Sequence, residues 1–368
     1  MNAGQHASGS VVNSTTVNST TVDDGVTEQE ARLGAALAAL PRVALVAQRP
    51  TPLEHLPRLS AHLGGPQIYV KRDDLTGLAF GGNKTRMLEF SMADALAKGT
   101  EVIVFGAAVQ SNYCRQLAAA CAKLGIELHL ILRAEREIDH QQVQGNHLLQ
   151  RLFGAHVTVL PDNDRGKQQA AIRAEYERLT ATGRNVYWPR REDTVDLDAL
   201  AYAESALEIA QQSRALGIAP AMVYTAAFDT TQAGLVLGMK VLETNIHVRG
   251  ISPFQATPER FATMARIANQ GAQRIDLDVE FSEADFDNDN SYVGERYGIP
   301  TPAGIDALHT LAQTEGILVD PVYTSKALSA LFDQARRGML DPDQPIVFLH
   351  TGGAPAIFGY AEDVLPSA

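Results

Sequence analysis

The feature that most constrains the fold is an alternation of short β-rich runs with longer segments of helical periodicity, from about residue 67 to residue 350. Strands that alternate with helices are typical of an α/β protein with a parallel, doubly wound sheet. The predicted strands are Gln67–Lys71, Glu101–Phe105, Glu127–Leu132, His156–Leu160, Ala221–Thr225, Val248–Ser252 and Ile346–His350. The predicted helices are Lys84–Lys98, Ser111–Leu124, Gln141–Phe153, Lys167–Thr182, Asp198–Leu216 and Thr231–Leu242. Ligands bind at the carboxyl ends of strands in such sheets, where the helices begin.

The N-terminal segment is polar and contains a tandem repeat, Val12–Thr16 and Val17–Thr21. A segment of this composition cannot bury enough apolar surface to order itself, so we predict a disordered tail over residues 1–26. The sequence Thr27-x-x-Glu30 then predicts a capping box that opens a helix ending before Pro41.

Composition excludes several classes of partner. The formal net charge of −12 argues against binding to nucleic acid or to an anionic membrane surface, because both depend on Lys and Arg. No segment has the length and apolarity of a membrane helix, and the N-terminus lacks the order of a signal peptide. With only two cysteines, Cys114 and Cys121, a disulfide framework is excluded, and we expect a cytoplasmic protein.

The stretch Gly81–Arg86 reads Gly-Gly-Asn-Lys-Thr-Arg and precedes a predicted helix. Two glycines allow a tight turn and a close approach of the backbone to a ligand. Lys84 would begin the helix, where the helix dipole opposes a cation and lowers the pKa of the amine. Such a lysine suits a nucleophile or a Schiff base, although a glycine turn with a surface lysine is the simpler interpretation of this motif alone.

Two further motifs follow predicted strands and precede predicted helices. Gln110-Ser111-Asn112-Tyr113 can cap a helix or bind an anion at its N-terminus. In His350-Thr351-Gly352-Gly353-Ala354-Pro355, the glycine turn allows a planar ligand to lie against the backbone, or His350 is simply a hydrogen-bonded residue at a helix entry.

Two tyrosines lie in loops marked by proline or glycine, in Tyr297-Gly298-Ile299-Pro300 and in Asp320-Pro321-Val322-Tyr323-Thr324. A phenol can donate or accept a proton, which suits proton transfer. A lone loop tyrosine is more often structural, so each motif alone leaves both interpretations open.

Taken together, these motifs resemble the family of D-cysteine desulfhydrases and 1-aminocyclopropane-1-carboxylate deaminases, within the tryptophan-synthase-β-like fold. The resemblance is strengthened by Leu59–Gly65, by Lys71–Asp74 and by Gly77–Arg86, and it covers roughly residues 50–360. It implies two doubly wound domains, fold type II. The larger would comprise residues 27–86 and 190–368, and the smaller residues 87–189.

The resemblance also implies roles for individual residues. Lys84 would carry pyridoxal 5'-phosphate as a Schiff base, and Tyr297, Tyr323 and Ser111 would join it as catalytic residues. The remaining cofactor-binding residues would be Asn83, Asn112, Ala227, Thr230, Thr231 and Thr324. The substrate-binding residues would be Gln110, Ser111, Asn112, Thr351 and Gly352. No metal ligand is assigned.

The chain departs from the family pattern at the phosphate. A glycine-rich loop is replaced by Ala227–Gly234, which contains Asp229. Two unit charges about 4 Å apart repel by roughly 4 kcal/mol at an effective dielectric constant near 20. Asp229 must therefore point away, or the loop binds a dianion in another way. Met87 also stands where the family often has a lysine.

A second glycine-rich stretch is replaced by Arg190–Asp196. We hypothesise that Arg190 or Arg191 supplies the missing positive charge, with Thr230 and Thr231 donating hydrogen bonds. A solvated charged loop is the alternative interpretation.

The resemblance implies α,β-elimination from D-cysteine to give pyruvate, ammonia and sulfide. Thr324, where the deaminases have Glu, favours elimination over cyclopropane opening, because an uncharged partner leaves the ring nitrogen less protonated. The alternatives are a 1-aminocyclopropane-1-carboxylate deaminase, an L-cysteate sulfo-lyase, a β-replacement synthase and a non-catalytic binding protein with an impaired phosphate loop. The expected partners are a small amino-acid substrate and a second copy in a homodimer.

Overall fold

The computed structural model of the protein describes residues 26–227 and 229–365. Of the predicted disordered tail, residues 1–25 lie outside the described residues. The predicted capping box is present at Thr27 and Glu30, and it opens helix α1 (Glu28–Ala38).

The described chain alternates strands and helices along most of its length. The strands are β1 (Leu53–His55), β2 (Ile68–Lys71), β3 (Val102–Phe105), β4 (Glu127–Arg133), β5 (His156–Leu160), β6 (Val186–Tyr187), β7 (Met222–Ala226), β8 (His247–Ile251), β9 (Asp287–Asp289) and β10 (Ile346–Leu349). The helices after α1 are α2 (Pro57–Leu63), α3 (Lys84–Ala97), α4 (Asn112–Leu124), α5 (Ile138–Gln141), α6 (Gly145–Leu152), α7 (Arg165–Ala181), α8 (Val195–Ala215), α9 (Thr230–Val241), α10 (Glu259–Arg274), α11 (Pro302–Glu315), α12 (Thr324–Arg336) and α13 (Ala361–Val364).

Two sheets organise these elements. The larger has the strand order β1-β2-β10-β7-β8-β9 and is parallel except for its edge strand β1. The smaller has the order β5-β4-β3-β6 and is wholly parallel. The predicted α/β fold with two doubly wound parallel sheets is therefore confirmed.

Helices cover both faces of the larger sheet. Along β10, Ile346 and Phe348 pack into a core shared with α11 and α12, whereas Val347 and Leu349 pack into a core shared with α8 and α9. Successive side chains of a strand point to opposite faces, so a strand covered on both sides is apolar throughout. This explains why β10 is an unbroken apolar run and was recognisable in the sequence.

All seven predicted strands and all six predicted helices are present, with shifts of a few residues at their ends, and Gln141–Phe153 contains the end of α5 and all of α6. The short strands β1, β6 and β9 were missed, because two or three residues carry no readable periodicity. Helices α10, α11 and α12 were also missed, because the strand–helix alternation breaks between β8 and β10.

All four strands of the smaller sheet lie between residues 102 and 187. Helix α3 continues across residue 86, where one domain boundary was placed. The boundaries at 86/87 and 189/190 stay predictions.

Helices α8 and α9 pack at unusually close range. A Cβ atom added to Gly234 would lie 1.9 Å from the backbone oxygen of Ala199, so only glycine allows this approach. The contact fixes α9 against α8, and with it the N-terminus of α9.

A buried ionic network holds the first turn of α3 in place. The Arg86 guanidinium lies 2.9 Å from the Asp73 carboxylate and 2.7 Å from that of Glu208 on α8. Lys71, at the end of β2, lies 2.6 Å from Glu208. Because Lys84 precedes Arg86 by two residues, the network also fixes the position of Lys84 at the start of α3.

None of the helices in the described ranges combines the length and apolarity needed to cross a lipid bilayer.

Candidate active site

A cavity of about 230 Å³ lies where the carboxyl ends of strands from both sheets meet. Residues that follow β3, β7, β8 and β10 line it, as expected for a doubly wound sheet. Ten of the predicted site residues line this cavity: Asn83, Lys84, Ser111, Asn112, Ala227, Thr230, Thr231, Tyr297, Tyr323 and Thr351.

Lys84 is the first residue of α3, and the loop before it is set by two glycines with positive φ, Gly81 (70°) and Gly82 (124°). A Cβ atom on Gly81 would lie 1.9 Å from the backbone oxygen of Asp74, so the turn requires glycine. The backbone N–H of Asn83 donates to the oxygen of Thr351 at 2.9 Å, which joins this loop to the end of β10.

Burial and the nearby Arg190 guanidinium lower the pKa of Lys84 to about 8, although Asp198 and Asp229 act in the opposite direction. The interpretation from sequence ascribed the lowered pKa of Lys84 to the helix dipole. In the structure, burial is the largest cause of that lowering. A substantial fraction of neutral amine is therefore present near pH 8, as a nucleophilic lysine requires.

Arg190 organises the start of α9. Its guanidinium lies 3.0 Å from the Asp229 carboxylate and 3.0 Å from that of Asp198, and it donates to the Thr230 hydroxyl at 3.4 Å. Asp229 itself lines the cavity, which favours the second of the two alternatives, a loop that binds a dianion in another way. Its charge is instead offset by the ion pair with Arg190.

The structure separates the two arginines that the sequence could not tell apart. Arg190 lines the cavity, while the side chain of Arg191 is 57% exposed and its charged partner is Asp193 at 3.8 Å. Met87 is fully buried, with its sulfur 4.0 Å from the Thr230 hydroxyl, so it contributes packing at the family's lysine position.

Ser111 caps α4 by accepting a hydrogen bond from the Cys114 N–H at 3.2 Å, and it also lines the cavity. The Oδ1 atom of Asn112 accepts hydrogen bonds from Arg115 and Asn146, both at 2.9 Å. These contacts fix the orientation of the Asn112 amide.

Arg115 connects the serine loop to the lysine loop. Its guanidinium is fully buried and donates both to Asn112 and, at 2.6 Å, to the backbone oxygen of Gly81. Burial lowers the pKa of Arg115 to about 9. Its donors are directed at neutral oxygens, so its role here is to position the two loops.

The hydroxyls of Tyr297 and Tyr323 hydrogen-bond to each other in the wall of the cavity, with ring centroids 5.7 Å apart. Burial raises the pKa of Tyr297 to about 12 and raises that of Tyr323 well above its ordinary value. Both phenols are therefore protonated at neutral pH and can act as donors. The Tyr323 loop is fixed by Asp320, which accepts from the backbone N–H groups of Val322, Tyr323 and Thr324.

Three predicted site residues lie outside the cavity lining. The hydroxyl of Thr324 donates to the Asp320 carboxylate at 2.6 Å and is fully buried. Gln110 donates to the backbone oxygen of Gln144 at 3.1 Å, behind the serine loop. Gly352 packs against Gly82 and donates its N–H to His350 Nδ1, so His350 is a hydrogen-bonded residue at the loop entry.

Sequence reasoning missed several residues that line the cavity. The signal for them was weak, because they lie at strand ends, in a loop or in the first turn of a helix, where no local pattern marks a side chain that lines a cavity. They are Phe105, Tyr113, Arg133, Phe254 and Arg260. Tyr113 is buried, its hydroxyl has no hydrogen-bond partner among the described residues, and the Arg190 guanidinium lies 5.2 Å from its ring centroid.

Within the described residues, one group has the composition of a metal site: Glu127, His129 and His156. It lies at the start of β4 and β5, away from the cavity-lining end of β4. His129 already contacts carboxylates through both ring nitrogens, at 2.6 Å to Glu127 and 2.7 Å to Glu175. We assign no metal to it.

The chain is similar to known proteins over most of its length. A family described as pyridoxal-phosphate dependent enzymes matches residues 45–352. A D-cysteine desulfhydrase from Salmonella newport is 39% identical over 335 residues, which cover 88% of this chain and 97% of that protein.

Two solved structures give a similar result. An ACC deaminase homologue is 32% identical with a TM-score of 0.80, and the match covers 90% of this chain and 98% of the other. Escherichia coli diaminopropionate ammonia lyase shares the fold at 16% identity and a TM-score of 0.63, with 93% of each chain covered.

The family match, the fold and a cavity built around a lysine of lowered pKa agree with one another. The chain belongs to the family of pyridoxal-phosphate dependent enzymes and has the fold type II architecture.

Proposed function

We propose that the chain is a lyase that removes the β-substituent and the amino group of a small amino acid, with D-cysteine as its substrate. One molecule of D-cysteine and one of water give pyruvate, ammonia and hydrogen sulfide. The observation that carries the proposal is a single cavity that contains the amine of Lys84, the Ser111 loop and the hydrogen-bonded phenols Tyr297 and Tyr323. The 39% identity to D-cysteine desulfhydrases supports the choice of substrate.

The residues present fit pyridoxal phosphate. About half of the Lys84 amine is neutral near pH 8 and so available for condensation with an aldehyde. Helix α9 begins at the cavity with the hydroxyls of Thr230 and Thr231, and a helix N-terminus favours a phosphate. The phenol of Tyr113, which has no hydrogen-bond partner in the described part of the chain, would gain a hydrogen bond from a polar ligand. When bound, the cofactor supplies an electron sink that stabilises negative charge on the substrate's α-carbon.

The proposed cofactor contacts follow from this placement. Thr230, Thr231 and the Ala227 backbone would hold the phosphate, and Asn83 and Asn112 would contact the ring. Thr324 would act at the ring nitrogen. Its hydroxyl donates to the Asp320 carboxylate and accepts from the Asp320 N–H, so it has no proton to donate to the ring nitrogen. A ring nitrogen that is less protonated supports elimination over cyclopropane opening.

Proton transfer would be divided between the lysine and the phenols. Once released by the substrate, the Lys84 amine would take the proton from the α-carbon, and Tyr297 or Tyr323 would donate to the departing sulfide. Both phenols are protonated at neutral pH because burial raises their pKa. Ser111, Asn112 and Thr351 would orient the substrate carboxylate, with Gln110 and Gly352 supporting them from behind the cavity lining.

A substrate panel tests the proposal. Purified holoenzyme is given D-cysteine, L-cysteate, D-serine and 1-aminocyclopropane-1-carboxylate, and the release of keto acid is measured. We expect pyruvate from D-cysteine, none with Lys84→Ala, and a loss of about a hundredfold or more in Tyr323→Phe. Holoenzyme that releases no keto acid from any of the four would disprove the function, and a new thioether formed on addition of a thiol would indicate a β-replacement synthase.

A deaminase that opens 1-aminocyclopropane-1-carboxylate is the second candidate, and the similarity to a solved ACC deaminase homologue favours it. That substrate has no α-proton, so Lys84 could not begin the reaction by removing one. The release of 2-oxobutyrate in the same panel would support this activity.

We also propose a homodimer in the cytoplasm. Leu152 on α6 and Phe358 in the neighbouring turn are 69% and 73% exposed, and apolar side chains of this size are suited to a subunit contact. Cys114 and Cys121 are both free and buried, as in a reducing compartment. Sedimentation of the purified protein tests the dimer.

A further inference from the structure

The cations that line the cavity differ in how their charges are balanced. Arg133 forms an ion pair with Glu135. Arg190 is balanced by Asp198 and Asp229. Both guanidiniums therefore have carboxylate partners within the protein.

Arg260 also lines the cavity, yet no carboxylate of the described residues forms an ion pair with it. It is the second residue of α10, where the helix dipole disfavours a cation. A cation placed there without a counter-charge gains most from an anion supplied by a ligand.

The surroundings of Arg260 indicate which part of the cavity it serves. Its guanidinium lies 5.0 Å from the ring centroid of Phe254, and that ring packs edge-on against Tyr297 with centroids 6.5 Å apart. Arg260 is thus connected to the phenol pair. Arg190, in contrast, contacts Asp229 and Thr230 at the start of α9.

We propose that Arg260 forms a subsite for a negatively charged group on the side chain of the amino-acid substrate, such as a sulfonate, sulfinate or carboxylate. This inference rests on the proposed lyase function and extends it from D-cysteine to amino acids whose side chain is negatively charged. A guanidinium donates two parallel hydrogen bonds to such a group, which a thiol or hydroxyl cannot accept in the same way.

The subsite also fits the chemistry of elimination. With cysteate, the α-proton passes to Lys84 and the carbon–sulfur bond breaks with its electron pair on sulfur, so that sulfite leaves. Water then completes the balance to pyruvate and ammonia. A cation beside the leaving group stabilises the charge that accumulates there.

The test compares substrates with charged and uncharged β-substituents. The holoenzyme variants Arg260→Gln and Arg260→Lys are assayed with both enantiomers of cysteate and of 3-chloroalanine. We expect the ratio of kcat/KM for cysteate to that for 3-chloroalanine to fall about tenfold to a hundredfold in Arg260→Gln, and to recover in part in Arg260→Lys.

Arg266→Gln is the matched control. Arg266 lies on the same helix, donates to Gln270 at 2.8 Å and does not line the cavity. We expect the ratio of kcat/KM values in this variant to equal that of the unaltered enzyme. That result would distinguish a local effect of Arg260 from an effect of the total positive charge on α10.

Three results would overturn the subsite. An unchanged ratio of kcat/KM for cysteate to that for 3-chloroalanine in Arg260→Gln would show that Arg260 does not distinguish charged from uncharged β-substituents. An equal loss on both substrates would assign Arg260 to the substrate carboxylate or to the fold. A fall in bound cofactor per chain would assign it to the phosphate.

Failure of the lyase function itself is distinguishable by a binding measurement. If the holoenzyme releases no keto acid, calorimetry with aspartate and with asparagine, its uncharged counterpart, still tests Arg260. Tighter binding of aspartate that disappears in Arg260→Gln supports the subsite, and equal affinities in the unaltered protein disprove it.

Discussion

Lys84 acquires its chemistry from its surroundings more than from its position on a helix. Burial in the cavity and the neighbouring Arg190 guanidinium lower its pKa to about 8, while Asp198 and Asp229 limit the shift. Burial also raises the pKa of Asp198 to about 6, although Arg190 opposes that shift. A single buried cluster therefore sets how readily the lysine loses its proton.

This lowered pKa predicts how the protein takes up its cofactor. Only the neutral amine condenses with an aldehyde, so its covalent attachment should become faster as the pH rises through about 8. The measurement follows the absorbance of cofactor-free protein after addition of pyridoxal phosphate between about pH 6 and about pH 11.5, a range that includes the ordinary lysine pKa of about 10.4. Lys84→Arg should show no attachment at any pH, and a midpoint near the ordinary lysine value of about 10.4 would contradict the assignment.

At the scale of elements, the segment between β6 and α8 determines the charge at the N-terminus of α9, where we propose that the phosphate binds. Arg190 has a positive φ of 62°, which turns its side chain into the cavity, whereas Arg191 is directed to solvent. In place of a glycine-rich loop that offers only backbone N–H groups, the chain uses a guanidinium that offsets Asp229.

Arg190→Gln should therefore weaken cofactor binding. The substitution leaves Asp229 and Asp198 without their counter-charge beside a dianion, and we expect the Kd for pyridoxal phosphate to rise about tenfold or more. Titration of cofactor-free protein, followed by absorbance, measures it. Arg191→Gln is the matched control and should bind as before, and an unaltered Kd in Arg190→Gln would leave the solvated-loop interpretation standing.

At the scale of the whole molecule, one buried ionic network joins β2, α3 and α8. Although burial alone would raise their pKa values, Arg86 and Lys71 hold the pKa of Asp73 and that of Glu208 below their ordinary values. The resulting stabilisation is complete at pH values above the ordinary carboxyl range near 4, and it is lost as the pH falls through the lowered values of the folded state.

Removing one charge from this network should destabilise the whole fold. Glu208→Gln leaves Arg86 and Lys71 with less counter-charge in a buried site, and we expect the free energy of unfolding at pH 7 to fall by about 3–5 kcal/mol. Urea denaturation measures the change. Glu177→Gln, on the exposed face of α7, should change stability by less than about 0.5 kcal/mol, and an equally small change in Glu208→Gln would contradict the prediction.

The sequence by itself determined the α/β class and most of the strands, because a strand buried on both faces is an unbroken apolar run whatever surrounds it. It also identified the glycine turn before Lys84 and the capping serine, since both are local features of the backbone. Both tyrosines were visible in loops marked by proline or glycine, but their joint catalytic role was implied only by the family resemblance, because they are 26 residues apart in different loops.

Only the tertiary structure decided which charges face one another. Arg190 and Arg191 are equivalent in sequence, and nothing local shows that one offsets Asp229 while the other lies in solvent. Arg260 carried no signal at all, because the absence of a carboxylate partner is a property of the space around a side chain. Electrostatic environments depend on distances between residues remote in the chain, and those distances exist only once the two sheets have packed together.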